Sequence, residues 1–259
     1  MKADADELLL KARRLRLCGL ASRWDEIASD AELLASARRV LEWEDDERHR
    51  RKQAQCVRLC GVHGVAPMSS FDWATPKRID RELIESLFTL SFLTDQTNVL
   101  ILGPNGVGKT MIAKNLVEHA ARQGEHALFV ECAVMLDDLT RHTTTSGLER
   151  ALSRYVKPNL LAIDEVGYLS YDTRHADLLF QLVQRRYQRA STLITTNKGF
   201  NEWNAVFPNA ASVTALVDRL VERCEVVQIE GSSYRYKRYE ERTRARQAGR
   251  RGVTRSGDR

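Results

Sequence analysis

No apolar stretch of this sequence approaches the ~18 residues that a membrane-crossing helix needs, so no segment is available for a helical membrane anchor. A small-residue cleavage pattern is also missing. The first residues, MKADADELLLKARRLRL, place acidic side chains before a short leucine run, and no signal peptide is expected. Cysteines are few, odd in number and scattered, at positions 18, 56, 60, 132 and 224. Cys56 and Cys60 lie four apart, but no second Cys/His pair accompanies them, so reduced thiols are expected rather than zinc ligands. No internal repeat appears. These absences together predict a cytoplasmic protein.

What is present is a chain of 259 residues, 43% hydrophobic, enough for one large domain or a medium domain with an appendage. Net charge is only +5, but it is unevenly spread. From Arg235 onward ten basic side chains stand against Glu240, Glu241 and Asp258, so this tail carries ten minus three, or +7. The remainder is slightly acidic. With Tyr234, Tyr236 and Tyr239 near its start, the tail suits phosphate contact and base stacking. The plain alternative is a solvated terminus.

From Ala31 to about Cys60 the pattern is helical, with Leu33, Leu34, Ala37, Val40 and Leu41 on one face. Glu44–Arg48 and Glu47–Arg51 then support an exposed stretch by i,i+4 pairing. GVHGVAPMSSFDWATP breaks the periodicity and marks a boundary region, roughly 61–76. Beyond it, element types alternate. Helices are expected over 77–93, 109–122, 133–142, 146–156, 173–189, 201–207 and 212–223. Strands are expected over 98–102, 126–131, 160–164, 192–196 and 225–230. That alternation predicts an α/β domain with a largely parallel sheet.

The chemistry begins at GPNGVGKT, which satisfies G-x-x-x-x-G-K-[ST] at each fixed position, with a strand before it and a helix after. Gly103, Pro104, Asn105, Gly106, Val107 and Gly108 form a loop whose backbone N–H groups can turn toward phosphate oxygens at a helix N-terminus. Lys109 places a positive charge on the β- and γ-phosphates. Thr110 offers a hard oxygen to Mg²⁺, and Met111, next along the helix, is expected to be the last of the nucleotide-binding residues. LLAID then brings Asp164 to the strand end where ligands bind in an open sheet. Neighbouring strand residues point to opposite faces, so Asp164 and Glu165 are expected to differ in role: Asp164 as metal support, Glu165 as the group that polarises water. TLITT ends at Asn197, whose amide can bridge that water and the γ-phosphate; alone, an Asn there is more often a turn former. ATP and Mg²⁺ are the implied cofactors.

The set GPNGVGKT, LLAIDEVGYL, LITTNKGFNEW, ALVDRL and EGSSYRYK resembles the AAA+ ATPases, and more closely the IstB-like transposition helper ATPases and their DnaC-type helicase-loader relatives. FDW at 71–73 is similar in layout too. The resemblance implies a five-stranded parallel core flanked by helices, preceded by a small helical domain. It also implies head-to-tail assembly in which one subunit's arginine finger completes its neighbour's site. DRL favours Arg219 for that role, while the RC that follows keeps Arg223 open. Only about thirty residues follow EVVQIE, too few for a separate C-terminal lid bundle, so any sensor role of Arg235 comes from a short extension.

The implied organisation is a helical domain at 1–65 for DNA or partner contact, an ATPase core at 66–235, and a flexible basic tail at 236–259. The implied function is an ATPase that oligomerises on duplex DNA and recruits or activates a transposase, with no membrane partner. A replicative helicase loader is the alternative. A small-molecule phosphoryl transferase would need a closing insertion, which is missing, and an intact Glu165 argues against a nucleotide-gated binder without turnover.

Overall fold

The computed structural model describes residues 2–168, 172–199, 202–203, 206 and 210–253. Its contacts divide the chain into two units, Met1–Gln55 and Cys56–Arg259. Among the described residues, no helix is long and apolar enough to cross a membrane.

The first unit contains α1 (Lys2–Arg14), α2 (Cys18–Ser22), α3 (Trp24–Ser29) and most of α4 (Ala31–Leu59). Leu8, Ala12 and Leu15 recur at helical spacing and meet Trp24 and Leu41 in a small core. Lys11 and Arg14 both pair with Asp45 at 3.0 Å. The expected Glu44–Arg48 and Glu47–Arg51 pairs form at 2.6 Å. Both are exposed and add little to stability.

In the second unit α5 (Arg81–Leu87) and α6 (Ser91–Thr94) precede β1 (Asn98–Leu102) and α7 (Lys109–Arg122). Then come β2 (Ala127–Glu131), α8 (Cys132–Thr140), α9 (Thr145–Val156), β3 (Leu160–Asp164) and α10 (Thr173–Arg186). β4 (Ser191–Thr196), α11 (Ala210–Val221), β5 (Cys224–Gln228) and α12 (Tyr234–Val253) complete it. The single helix expected over 77–93 is two helices, because Leu90 takes a left-handed conformation (φ 62°) that no helix can continue through. Most of the helix expected over 201–207 lies outside the described residues.

The five strands are parallel in the order β2-β3-β4-β1-β5. Helices cover both faces, which is why β3 reads as an unbroken apolar run rather than an alternation. Leu161 and Ile163 pack toward α8, α9 and α10, with Leu136, Leu152 and Leu179. Leu160 and Ala162 pack the other way, with Ile112, Leu116 and Ala120 of α7. The segment after Gln55 belongs to this second core: Phe129 N–H donates to the Cys60 carbonyl at 2.8 Å, and Cys60 and Val62 are buried.

One buried cation holds a corner of this layer. Arg186, 1% exposed, donates to the carbonyls of Tyr155, Val156, Pro158 and Ser191 and to Thr192 Oγ1, at 2.5 to 3.0 Å. Burial pushes its pKa down to about 9, still above neutrality, so the guanidinium stays charged and fastens the end of α9 to the start of β4. Arg186→Leu leaves those carbonyls unpaired in the interior. Its urea midpoint is expected to fall by the equivalent of roughly 3 kcal/mol; an unchanged midpoint contradicts this role.

Candidate active site

β1 delivers the chain to Gly103 at the C-terminal edge of the sheet, and α7 departs from Lys109. Between them the backbone is left-handed at Gly106 (φ 81°) and Gly108 (φ 101°), a region costly for any side chain. Space gives the same answer. A Cβ on Gly106 would lie 2.2 Å from Ser233 Oγ, and one on Gly108 would lie 2.5 Å from the Phe71 ring. The loop is therefore bare backbone pressed between two distant segments.

Lys109 is buried, and its Nζ donates to the Gly103 and Pro104 carbonyls at 2.7 and 2.8 Å. Burial pushes its ammonium below the ordinary lysine range; Asp164 and Glu165 hold it up, and Arg235 pushes it down. A buried cation whose hydrogen bonds go to carbonyl oxygens is a strong attractor for phosphate oxygens, whose hydrogen bonds are charge-assisted.

The two acids are organised by one hydroxyl. Thr195 Oγ1 donates to Asp164 and accepts the backbone N–H of Glu165 at 3.0 Å. Thr110 Oγ1 donates to the same Asp164 oxygen at 3.2 Å. β3 ends at Asp164, and Glu165 steps into the left-handed region (φ 61°), uncommon for a residue other than glycine. Val166 N–H, donating to the Thr195 carbonyl at 3.0 Å, pins the turn to β4. Strand alternation would send the acids to opposite faces. The turn instead brings Glu165 back to line the pocket that Thr110 lines, while Asp164 stays buried beneath it.

Asn105, Gly106, Val107, Gly108, Lys109, Thr110, Met111, Glu165 and Asn197 line one pocket. Gly103 and Pro104 face it indirectly, through their carbonyls on Lys109. Arg219 is not brought there. It donates to the Ala215 carbonyl at 2.7 Å and lies over the Phe180 ring at 5.2 Å. Arg223 is exposed just beyond α11. Arg235 does reach the pocket, from the first turn of α12.

Motif reading missed the rest of the wall. Phe71, Asp72, Thr75, Pro76, Tyr168 and Tyr234 also line the pocket. The segment 71–76 has no periodicity to announce it, and its closeness to Gly108 is a long-range contact. Thr195 was hidden inside an ordinary strand.

The arrangement fits a nucleoside triphosphate with Mg²⁺. Gly106 and Gly108 leave a cradle that any Cβ would fill, and Lys109 waits at its base. Among the described residues no group of three or more His, Cys, Asp or Glu side chains could hold a metal. Thr110 and Asp164 instead supply two hard oxygens, a set suited to an Mg²⁺ shared with phosphates and water.

A family model described as IstB-like ATP binding protein matches residues 10–242. The chain is 34% identical over 230 residues to a protein of insertion sequence IS5376 from Geobacillus stearothermophilus described as ATP-binding, covering 86% of this chain and 90% of that one. A counterpart in insertion sequence IS232 of Bacillus thuringiensis subsp. berliner is 31% identical over 242 residues, covering 92% and 97%. Among solved structures, DnaI superposes with TM-score 0.52 at 16% identity, covering 71% of this chain and 98% of that one. The replication initiator DnaA bound to AMPPCP and single-stranded DNA gives TM-score 0.54 at 17% identity, covering 69% of this chain and only 54% of that one. At such identities these likenesses bear on the fold alone, and that fold is the AAA+ core. The match along residues 10–242, together with relatives 34% and 31% identical over most of both chains, means that the chain belongs to the IstB-like ATP binding protein family.

Proposed function

We propose that the chain is a Mg²⁺-dependent ATPase that assists DNA transposition, assembling head to tail on duplex DNA, recruiting or activating a transposase, and resetting the complex by hydrolysis. The observation that carries this reading is the Thr195 hydroxyl, which ties Asp164 and Glu165 to one strand end beside the phosphate loop. A site that only sensed nucleotide would not need the second acid in the pocket. Bound ATP with its ion supplies the electrophilic γ-phosphorus. Lys109 releases its carbonyl partners and takes the β- and γ-phosphates. Thr110 and Asp164 would hold the ion, which would supply charge neutralisation at the phosphates; Asn197 orients the attacking water, and Glu165 accepts its proton.

The DNA and transposase parts of the reading rest on relatives encoded by insertion sequences and on the basic tail. Arg219 suits action on a neighbour because it lies away from its own pocket, on α11. The test is sedimentation or fluorescence anisotropy with a labelled duplex at low salt, with and without ATP. ATP-dependent association into species larger than one chain is expected. A chain that binds ATP yet never associates with DNA contradicts the reading.

A further inference from the structure

The proposed function leaves unassigned how the nucleotide pocket reaches nucleic acid. A separate set of contacts bears on this. α12 does not simply follow the sheet; its first turn is built onto the phosphate loop. Tyr234 N–H donates to the Gly106 carbonyl at 3.0 Å, and Ser233 fills the space where a Gly106 side chain would stand. The Tyr234 and Arg235 side chains line the pocket. Lys237 extends the attachment to another wall, donating to Thr75 Oγ1 at 3.2 Å and facing Asp72 at 3.7 Å. The chain just before the helix is fixed as well, by the paired backbones of Arg78 and Glu230.

Beyond that attached turn the helix changes character. α12 holds eight basic residues and two acidic ones, a net of +6 within twenty residues. Arg238 and Arg242, one turn apart, are both exposed, and neither forms an ion pair among the described residues. Tyr236 and Tyr239 are 63% and 66% exposed, with ring centroids 6.5 Å apart. Exposed guanidinium groups without an ion-pair partner among the described residues, and exposed aromatic rings, on one helix suit a sugar-phosphate backbone. They do not suit a protein core.

We propose that α12 is the nucleic-acid-binding element of this chain, and that its attachment to Gly106 makes its grip on duplex DNA depend on the nucleotide. This rests on the DNA-helper reading above and names the surface and the regulation that reading lacks. The physical basis is differential contact. A ligand shifts a conformational equilibrium only as far as it touches the two states differently. A triphosphate seated on the loop meets the backbone that holds Tyr234 N–H, and it meets Arg235, so the first turn of α12 registers its presence. The rigid helix carries that displacement to Arg238 and Arg242.

Two variants of the full chain separate the two halves. Arg238→Ala/Arg242→Ala removes two exposed cations that do not line the pocket; because Arg238 also lies over the Tyr234 ring at 5.9 Å, Arg242→Ala alone, which leaves that ring contact in place, is measured beside it. With a labelled duplex and AMPPCP, the double variant's DNA affinity is expected to fall about tenfold or more, and the slope of log affinity against log salt to shrink by about 2. Its nucleotide affinity should remain that of the wild type. Tyr234→Pro removes the N–H that bonds Gly106 at a helix position proline tolerates, and Tyr234→Ala removes the ring while keeping the N–H. The proline variant is expected to bind duplex equally with and without AMPPCP, whereas the alanine variant keeps a difference. Wild-type salt slope and affinity in the double variant overturn α12 as the binding surface. Full nucleotide dependence in the proline variant overturns the coupling. A wild-type chain that binds AMPPCP but no duplex overturns the DNA-helper reading itself and this assignment with it.

Discussion

Glu165→Gln is expected to bind ATP as the wild type does and to lose turnover by about 10²–10⁴-fold, the range that a general base contributes. The substitution keeps the side chain's volume and removes only its ability to take a proton. The unusual backbone of residue 165 should survive it, because the contact that stabilises φ 61° is the residue's own N–H on Thr195 Oγ1 rather than its carboxylate. Asp164 keeps both hydroxyl partners, Thr110 and Thr195, so the ion-binding end is undisturbed. Phosphate release under single-turnover conditions, measured beside a fluorescent-nucleotide titration, separates chemistry from binding. Normal phosphate release would remove Glu165 from the base role.

Arg219→Ala should lower turnover by roughly 10³–10⁵-fold if it serves as a finger, with little loss of fold. Within its own chain the guanidinium donates to the Ala215 carbonyl one turn back in α11 and lies over the Phe180 ring. The decisive form of this experiment is a mixture. An Arg219→Ala subunit keeps an intact phosphate loop, and a Lys109→Ala subunit keeps an intact arginine. In a head-to-tail assembly of equal parts, about a quarter of interfaces join the two intact halves, and activity should return to that extent. No return, with co-assembly verified by cross-linking, counts against Arg219. Return only with Arg223→Ala in its place moves the role to Arg223.

The parts of this molecule that were legible in its sequence are those fixed by local chemistry. β3 is legible because a strand buried on both faces must be apolar throughout, and LLAID is. The phosphate loop is legible because Gly106 and Gly108 occupy backbone conformations that other residues resist. The break at Leu90 was not, since a leucine in the left-handed region carries no compositional mark. Nor was the way Glu165 shares the pocket, which depends on a hydroxyl from another strand, thirty positions along the chain. The closest missed feature is the docking of Ser233 and Tyr234 on Gly106, a contact that no periodicity encodes. The third glycine-dependent approach, Gly103 against Ile229, joins the same C-terminal segment to the loop.

The central claim is that hydrolysis at this pocket ends a DNA-bound state. It is tested most directly by the dissociation rate of the full chain from a labelled duplex in ATP and Mg²⁺, wild type against Glu165→Gln. The account predicts that the variant leaves DNA more slowly, in proportion to its lost turnover, while associating equally well. Equal dissociation rates, with turnover abolished in the variant, would contradict it.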